Sequence, residues 1–263
     1  MDDTQSANLS DLPETPWLSR TRPNPDTRGR LFAFAHAGGG ASFFQPWQAL
    51  MPADIELCAI QLPGRENRFT TPAITSFEFM AEALAEEIQP YANLPYALFG
   101  HSFGGLLAFT MAMRMAGLER PPALVAVSAL RAPHLPLRRR IADLPDAEFI
   151  TAIAELGGTA VNVFENAELV ELILPALRAD FRVFENYEHP QGARTDVPLW
   201  ACGAADDPLV DIAGLGAWSS LAGSAFELKI YTGGHFYLNR HRAEFIDGLC
   251  AAIRKQPAFA ATA

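Results

Sequence analysis

A stretch at residues 98–105 constrains the fold of this chain more than any other. Its sequence is Leu-Phe-Gly-His-Ser-Phe-Gly-Gly. An apolar run of strand length begins just before it, at residues 96–99, and an apolar run typical of a helix follows at residues 106–113. Between them, residues 100–104 match the pattern G-x-S-x-G, in which the serine stands at the apex of a sharp turn. The pattern therefore predicts a buried strand, a tight turn with Ser102 at its apex, and a helix.

Ser102 is a candidate nucleophile because of where such a turn places it. The hydroxyl projects above the sheet at the N-terminus of the following helix, where backbone N–H groups favour developing negative charge. The alternative is a glycine-rich turn with an incidental serine. A nucleophilic serine needs a base and an acid, which the rest of the chain must supply.

The remaining hydrophobic pattern predicts an α/β fold with a mostly parallel sheet and helices on both faces. An amphipathic helix is predicted at residues 76–88, and Ile246 and Leu249 belong to a closing helix. Apolar strands are predicted at residues 31–36, 55–62, 96–99, 123–129, 197–203 and 226–231.

The chain divides into a core and three other parts. We expect residues 29–131 and 191–256 to form the core and residues 257–263 to be a C-terminal tail. Residues 1–28 are polar and proline-rich, and we expect a leader that packs loosely or not at all.

Residues 132–190 carry no convincing strand pattern, and we interpret them as a helical lid inserted into the core. The alternative is one more packing layer. Helices are predicted near residues 146–156, 167–174 and 175–187. Pro175 should begin a new helix, because an interior proline breaks the hydrogen-bond ladder.

Composition narrows the functional classes. The 263 residues suit one α/β domain, and 49% hydrophobic residues are ample for a large core. A net charge of −10 argues against nucleic acid as a partner. The chain has no apolar run of membrane-spanning length and no signal-peptide pattern at its start. Cys58, Cys202 and Cys250 lie far apart without metal-ligand spacing, so a reducing cytoplasm is the simpler expectation.

The base is best assigned to His235. It follows Gly233 and Gly234 in the loop after the last predicted strand, at the carboxyl edge where the serine also lies. The glycine pair lets the imidazole turn back over the serine. The other histidines are His36, His101, His134, His189 and His241.

The acid should lie between the serine and the histidine, since enzymes with this type of turn carry the three residues in that chain order. The loop after the strand at 197–203 offers Asp206 and Asp207, with Asp211 a more distant choice. We favour Asp207, which immediately precedes Pro208, and keep Asp206 as the alternative acid. Whichever is not the acid would be a helix cap or a solvated carboxylate.

An oxyanion hole requires two backbone N–H groups. Phe103, the residue after the serine, should supply one. The glycine-rich loop at residues 36–40 should supply the other, with Ala37 preferred and Gly38 second. This loop lacks the G-x-G-x-x-G spacing of a dinucleotide site.

Together these stretches resemble the type II (stand-alone, editing) thioesterases of polyketide and nonribosomal peptide synthesis, within the α/β-hydrolase fold. The resemblance covers most of the chain. The turn at 100–105 is shared across the superfamily, whereas several of the other stretches are more specific. Phe103 departs from the methionine usual in this turn, which affects pocket shape rather than the backbone donor. The matching stretches are residues 34–42, 61–66, 100–105, 174–181, 207–208 and 233–238.

The resemblance implies a cytoplasmic enzyme that hydrolyses acyl groups from the phosphopantetheine arm of carrier domains. It implies Ser102, Asp207 and His235 as a catalytic triad, with no metal and no bound cofactor. The implied partners are acyl- or peptidyl-carrier domains, with no nucleic acid and no membrane, and we expect a monomer.

Arg138, Arg139 and Arg140 form a basic run in the predicted lid of an acidic protein. They are either a solvated charged face or a docking patch for an acidic carrier domain or the pantetheine phosphate.

Three other functions are compatible with the same sequence features. They are another serine esterase, lipase or peptidase, a product-releasing thioesterase, and a non-catalytic hydrolase-like binding protein.

Overall fold

The computed structural model describes residues 12–20, 22–24, 26–155 and 166–260. Seven strands of this part of the chain form one sheet in the order β1-β3-β2-β4-β5-β6-β7. All neighbours pair in parallel except β1, which runs antiparallel to β3. The strands are β1 (Leu18–Ser19), β2 (Gly29–Phe34), β3 (Ile55–Ile60), β4 (Tyr96–His101), β5 (Leu124–Ser128), β6 (Leu199–Ala204) and β7 (Phe226–Tyr231).

Helices cover both faces of the sheet, which confirms the predicted α/β class. Side chains of α1 and α2 form one hydrophobic core with alternate residues of β2, such as Phe32 and Phe34. Leu31 and Ala33 belong to a second core on the other face, with α7. The α-helices are α1 (Phe77–Ile88), α2 (Phe103–Met115), α3 (Asp146–Glu155), α4 (Ala167–Glu185), α5 (Ile212–Gly216), α6 (Tyr237–Arg240), α7 (Arg242–Arg254) and α8 (Pro257–Ala260).

The described end of the predicted leader is packed against the sheet. Leu18 and Ser19 pair with the end of β3, and the Arg20 guanidinium binds Glu56 at 2.8 Å. The Arg68 guanidinium lies 4.4 Å from the centre of the Trp17 ring. Loose packing is therefore the wrong expectation for these residues, because a short antiparallel strand pairs with the backbone of β3 at the sheet edge.

Pro175 does not begin a helix, and this prediction is wrong. It lies inside α4, which runs unbroken over 19 residues. Proline removes one amide donor from the ladder, but the apolar face of α4 packs against its neighbours through Leu177 and Val183. Asn166 caps the start of the helix by accepting from the amides of Glu168 and Leu169. Tertiary packing thus stabilises one continuous helix where local propensity predicts two.

Helices α3 and α4 share a small hydrophobic core of their own, formed by Ile141, Phe149, Ala152, Ile153 and Leu177. Ala37, which follows β2, packs against this cluster. The predicted helix near 146–156 is α3, although residue 156 lies outside the described residues. The contact with Ala37 places the α3–α4 pair next to the loop that follows β2.

Cys58, Cys202 and Cys250 are free thiols, and all three are buried. Among the described helices, none combines the length and the apolar composition needed to cross a membrane.

Candidate active site

The turn between β4 and α2 holds Ser102 in a strained backbone conformation. Its φ of 54° and ψ of −121° lie where residues with a side chain are rarely found. The Ser102 amide donates to the Ser128 carbonyl at 2.7 Å, which ties the turn to the end of β5. The amide of Gly105 donates to the Ser102 carbonyl at 2.8 Å. The strain is thus held by hydrogen bonds on both sides of the serine.

Both glycines of the G-x-S-x-G pattern are required by close backbone contacts. A Cβ at Gly100 would lie 1.9 Å from the carbonyl oxygen of Gly104. A Cβ at Gly104 would lie 2.2 Å from the carbonyl oxygen of Phe34 in β2. No side chain fits at either position, so both glycines are needed. The predicted strand, tight turn and helix of this stretch are confirmed.

His235 and Asp207 come together from the loops that follow β7 and β6. Their side chains are buried, and His235 Nδ1 lies 2.8 Å from Asp207 Oδ2. Asp207 Oδ1 accepts the amides of Leu209 at 2.8 Å and Val210 at 3.2 Å. These two backbone donors fix the carboxylate, which in turn orients the imidazole. The contact engages Nδ1, so Nε2 is the ring nitrogen that can take a proton from a hydroxyl.

The other candidate acids have different partners. Asp206 Oδ2 accepts the amide of Gly233 at 3.2 Å, and the structure does not bring this carboxylate to His235. Asp211 caps α5 by accepting the amide of Gly214 at 2.6 Å. The geometry therefore distinguishes Asp207 from its neighbour, which the sequence leaves open.

Ser102, His235, Ala37 and Phe103 line one cavity of about 1190 Å³. Phe103 is the first residue of α2, where the amides have no carbonyl acceptor within the helix. Gly38, the second choice for the oxyanion hole, donates its amide to Asp180 Oδ2 at 2.7 Å. That amide is already engaged, which favours Ala37, the donor preferred in the sequence-based prediction, over Gly38.

Two histidines lie beside His235 without contacting its acid. The His101 ring centre lies 5.3 Å from that of His235 and 6.2 Å from that of His36. Desolvation, helped by the nearby His235, lowers the pKa of His101 well below its ordinary value and that of His36 to about 3. Both rings are therefore neutral at neutral pH, and neither places a positive charge beside His235.

The remaining histidines lie away from this contact. His189 bonds to Tyr187 and to the carbonyl of Ala193, and its ring centre lies 6.3 Å from that of His134. His241 contacts the side chain and the carbonyl of Thr232 through Nε2.

Sequence reasoning missed a buried hydrogen-bond chain behind the serine. His101 Nδ1 lies 2.9 Å from Ser128 Oγ, which lies 2.8 Å from the Tyr237 hydroxyl. This chain links β4, β5 and α6 beneath the turn. His101 directly precedes the serine and Tyr237 closely follows His235. Their positions next to these two motif residues are the sequence signal that could have identified them.

The basic run is part of the cavity lining, and each of its arginines has a partner. Arg138 pairs with Asp211, Arg139 Nη1 lies 3.3 Å from Glu155 Oε2, and Arg140 donates to the side-chain oxygen of Asn186 at 3.1 Å. The pairs of Arg138 and Arg139 are solvent-exposed. Exposed pairs of this kind contribute little to stability.

Residues 29–256 match the model of the thioesterase domain family. The chain belongs to the thioesterase family. This thioesterase is 37% identical over 240 residues to the gramicidin S biosynthesis protein GrsT of Aneurinibacillus migulanus, covering 90% of this chain and 94% of that protein. It is 35% identical over 226 residues to thioesterase PikA5 of Streptomyces venezuelae, covering 85% of this chain and 80% of PikA5.

Solved structures are similar over nearly the whole thioesterase. The type II thioesterase BorB from the borrelidin biosynthetic cluster has a TM-score of 0.84 at 33% identity, covering 90% of this chain and 98% of BorB. YbtT, a type II thioesterase from the yersiniabactin NRPS/PKS biosynthetic pathway, has a TM-score of 0.79 at 28% identity, with coverages of 89% and 95%. The resemblance to type II thioesterases and the α/β-hydrolase fold are thereby confirmed, and the chain is a hydrolase that acts on thioesters.

Proposed function

We propose that this thioesterase releases acyl groups from the phosphopantetheine arm of acyl- or peptidyl-carrier domains in polyketide or nonribosomal peptide synthesis. Ser102 is the nucleophile, His235 the base and Asp207 the acid that orients it. The observation that carries this assignment is the buried 2.8 Å contact of His235 with Asp207, beside a cavity that Ser102 and His235 share.

The first half-reaction transfers the acyl group to the enzyme. His235 Nε2 takes the Ser102 proton as Oγ attacks the thioester carbonyl, and the amides of Ala37 and Phe103 stabilise the oxyanion. Collapse of the tetrahedral intermediate breaks the C–S bond, and the proton held by His235 passes to the departing pantetheine thiolate. Asp207 stabilises the imidazolium at Nδ1 throughout this step.

The second half-reaction consumes water. His235 removes a proton from a water molecule that attacks the acyl-serine carbonyl, and the same two amides stabilise the second oxyanion. The proton then returns to Ser102 Oγ as the carboxylic acid leaves. The neutral His36 and His101 add no repulsion to the imidazolium formed in either half-reaction. We propose that the reaction uses no metal and no bound cofactor.

The substrate class is supported by the relatives and by the shape of the site. BorB comes from a biosynthetic cluster and YbtT from an NRPS/PKS biosynthetic pathway, and GrsT takes its name from gramicidin S biosynthesis. The cavity has an apolar wall that includes Phe103, Leu106 and Leu130, which suits an acyl chain.

We further propose that the segment 132–190 acts as a lid, that the chain works as a monomer, and that it works in the cytoplasm.

The test compares hydrolysis of acyl-loaded carrier proteins by the wild-type chain and by Ser102→Ala. The variant should lose nearly all activity, whereas Ser76→Ala, which removes an exposed helix cap on α1, should retain it. Near-full activity of Ser102→Ala would overturn the assignment. Oxygen esters of the same acyl groups serve as competitors, and faster turnover of those esters than of carrier thioesters would favour the general esterase function.

Docking through Arg138, Arg139 and Arg140 is the further part of this proposal. Reversing these charges to Glu should weaken turnover of carrier-bound substrates more than turnover of a small acyl-thiol. Arg120→Glu, an exposed arginine that does not line the cavity, is the matched control. If the ratio of the two activities stays unchanged in the triple variant, this patch does not bind carriers.

A further inference from the structure

A buried ion pair joins α4 to the loop that follows β3. Asp180 on α4 is fully buried, and its two carboxylate oxygens meet the two terminal nitrogens of Arg65. The distances are 2.6 Å from Arg65 Nη1 to Asp180 Oδ2 and 2.8 Å from Nη2 to Oδ1. This is the bidentate geometry in which guanidinium and carboxylate bind most specifically.

Both members of the pair also hold the glycine-rich loop at residues 36–40. Asp180 Oδ2 accepts the amide of Gly38 at 2.7 Å, and Arg65 Nη1 donates to the carbonyl of Gly39 at 3.2 Å. Leu177, one turn before Asp180 on α4, packs so closely that a Cβ at Gly38 would lie 2.7 Å from its Cδ1. Gly38 itself has a φ of +75°, a conformation that favours glycine.

The loop needs such an outside support. Three successive glycines, Gly38, Gly39 and Gly40, give its backbone many accessible conformations. The amide of Ala37 can donate to an oxyanion only in a loop conformation that brings it within hydrogen-bond distance of the developing charge. The ion pair fixes the amide and the carbonyl of the two residues that follow Ala37.

A purely structural role explains this pair less well. Removing two charges from water has a cost that their attraction offsets only when the geometry is excellent, so a buried ion pair is by itself weak evidence for a stabilising role. A pair placed here, on the backbone next to Ala37, gives instead a unique loop conformation. We infer that Arg65 and Asp180 are positioning residues that hold the Ala37 amide in the oxyanion hole. This inference rests on the proposed function of Ser102, His235 and Ala37.

The pair also ties the hole to α4. Asp180 can hold Gly38 only while α4 occupies its present position against the loop. The same helix contributes Phe181 and Phe184 to the cavity lining, so the position of α4 and the geometry of the hole are coupled through this ion pair.

The test uses Asp180→Asn, which keeps the side-chain shape and an acceptor oxygen but removes the charge pair. On a small acyl-thiol substrate, kcat should fall by about 10- to 100-fold while KM changes less than about twofold, because the lost interaction belongs to the transition state. Inhibition by a trifluoromethyl ketone with the same acyl chain should weaken in parallel, since its adduct with Ser102 carries an oxyanion. Arg65→Lys should show the same pattern to a smaller degree.

The matched control is Glu56→Gln. Glu56 forms an equally buried pair with Arg30 at 2.8 Å, remote from the cavity, so its loss should lower the melting temperature and leave kcat unchanged. If Asp180→Asn does not fold, Arg65→Lys decides the question alone. A folded Asp180→Asn or Arg65→Lys with wild-type kcat and wild-type affinity for the ketone would overturn the inference. Failure of the proposed function looks different, because Ser102→Ala would then remain active.

Discussion

At the residue scale, two adjacent aspartates illustrate how little local sequence separates the proposed catalytic acid from a neighbouring carboxylate that binds the backbone. Asp207 contacts His235, whereas Asp206 accepts the amide of Gly233 two residues before that histidine. Both therefore act on the same loop, one through the imidazole and one through the backbone. Their different effects should be measurable.

Asp207→Asn should lower kcat on an acyl-thiol substrate by about 10³- to 10⁴-fold, because the amide no longer holds the imidazole in the tautomer that accepts the serine proton. Asp206→Asn should lower it by less than about tenfold, since an amide oxygen can still accept from Gly233. Steady-state kinetics of the two purified variants decide the matter. A larger loss in Asp206→Asn would reverse the assignment of the acid.

Gly100→Ala should destabilise the protein by at least about 3 kcal/mol, because the new Cβ would overlap the Gly104 carbonyl at 1.9 Å. Backbone atoms form that contact, so no side-chain rotation relieves it. Gly117→Ala is the control, since a Cβ there meets nothing within 4 Å. Urea unfolding followed by circular dichroism gives both free energies, and equal values for the two variants would contradict the close packing of the turn.

At the element scale, α4 shows where local propensity and tertiary packing disagree. Pro175 favours a helix start, yet the structure continues the helix through it. Burial of the apolar face offsets the cost of the missing amide. A pattern read from one sequence does not predict this stabilisation, because the surfaces that bury the face are distant in the chain. The strands were easier to predict, since central strands buried on both faces are continuous apolar runs.

Pro175→Ala should raise the free energy of unfolding by about 1 to 3 kcal/mol, because alanine restores a backbone donor in the interior of α4. The residue is exposed, so little packing is lost. Pro190→Ala, an exposed proline outside the helices, should instead be neutral or slightly destabilising. Thermal or urea unfolding measures both, and a destabilised Pro175→Ala would show that the proline itself supports the helix.

At the scale of the whole molecule, buried neutral imidazoles make stability depend on pH. The pKa of His101 is lowered in the folded state, so below about pH 6.5 the unfolded chain binds a proton that the native protein excludes. The unfolded state then binds more protons, and stability falls as the pH falls from about 6.5 through the folded pKa. The slope approaches about 1.4 kcal/mol per pH unit for this one group.

His101→Asn should therefore flatten the dependence of unfolding free energy on pH below 6.5, although it lowers stability at pH 7 by disturbing the bond to Ser128. Urea unfolding of both proteins at several pH values between 7 and 4.5 gives the two slopes. Identical slopes would show that the His101 ring takes up its proton in the native state as readily as in the unfolded chain.

The amino-acid sequence by itself determined most of the elements, the tight turn at Ser102 and the chain order of the candidate triad. These features depend on short-range patterns, namely apolar periodicity, glycines at a tight turn and motif spacing. The structure decided which of two aspartates reaches His235, that Leu18 and Ser19 join the sheet, and that α4 continues through Pro175. It alone revealed that Arg65 and Asp180, 115 residues apart, meet at the glycine-rich loop. Such contacts join distant parts of the chain, so their geometry exists only once the sheet and helices have packed.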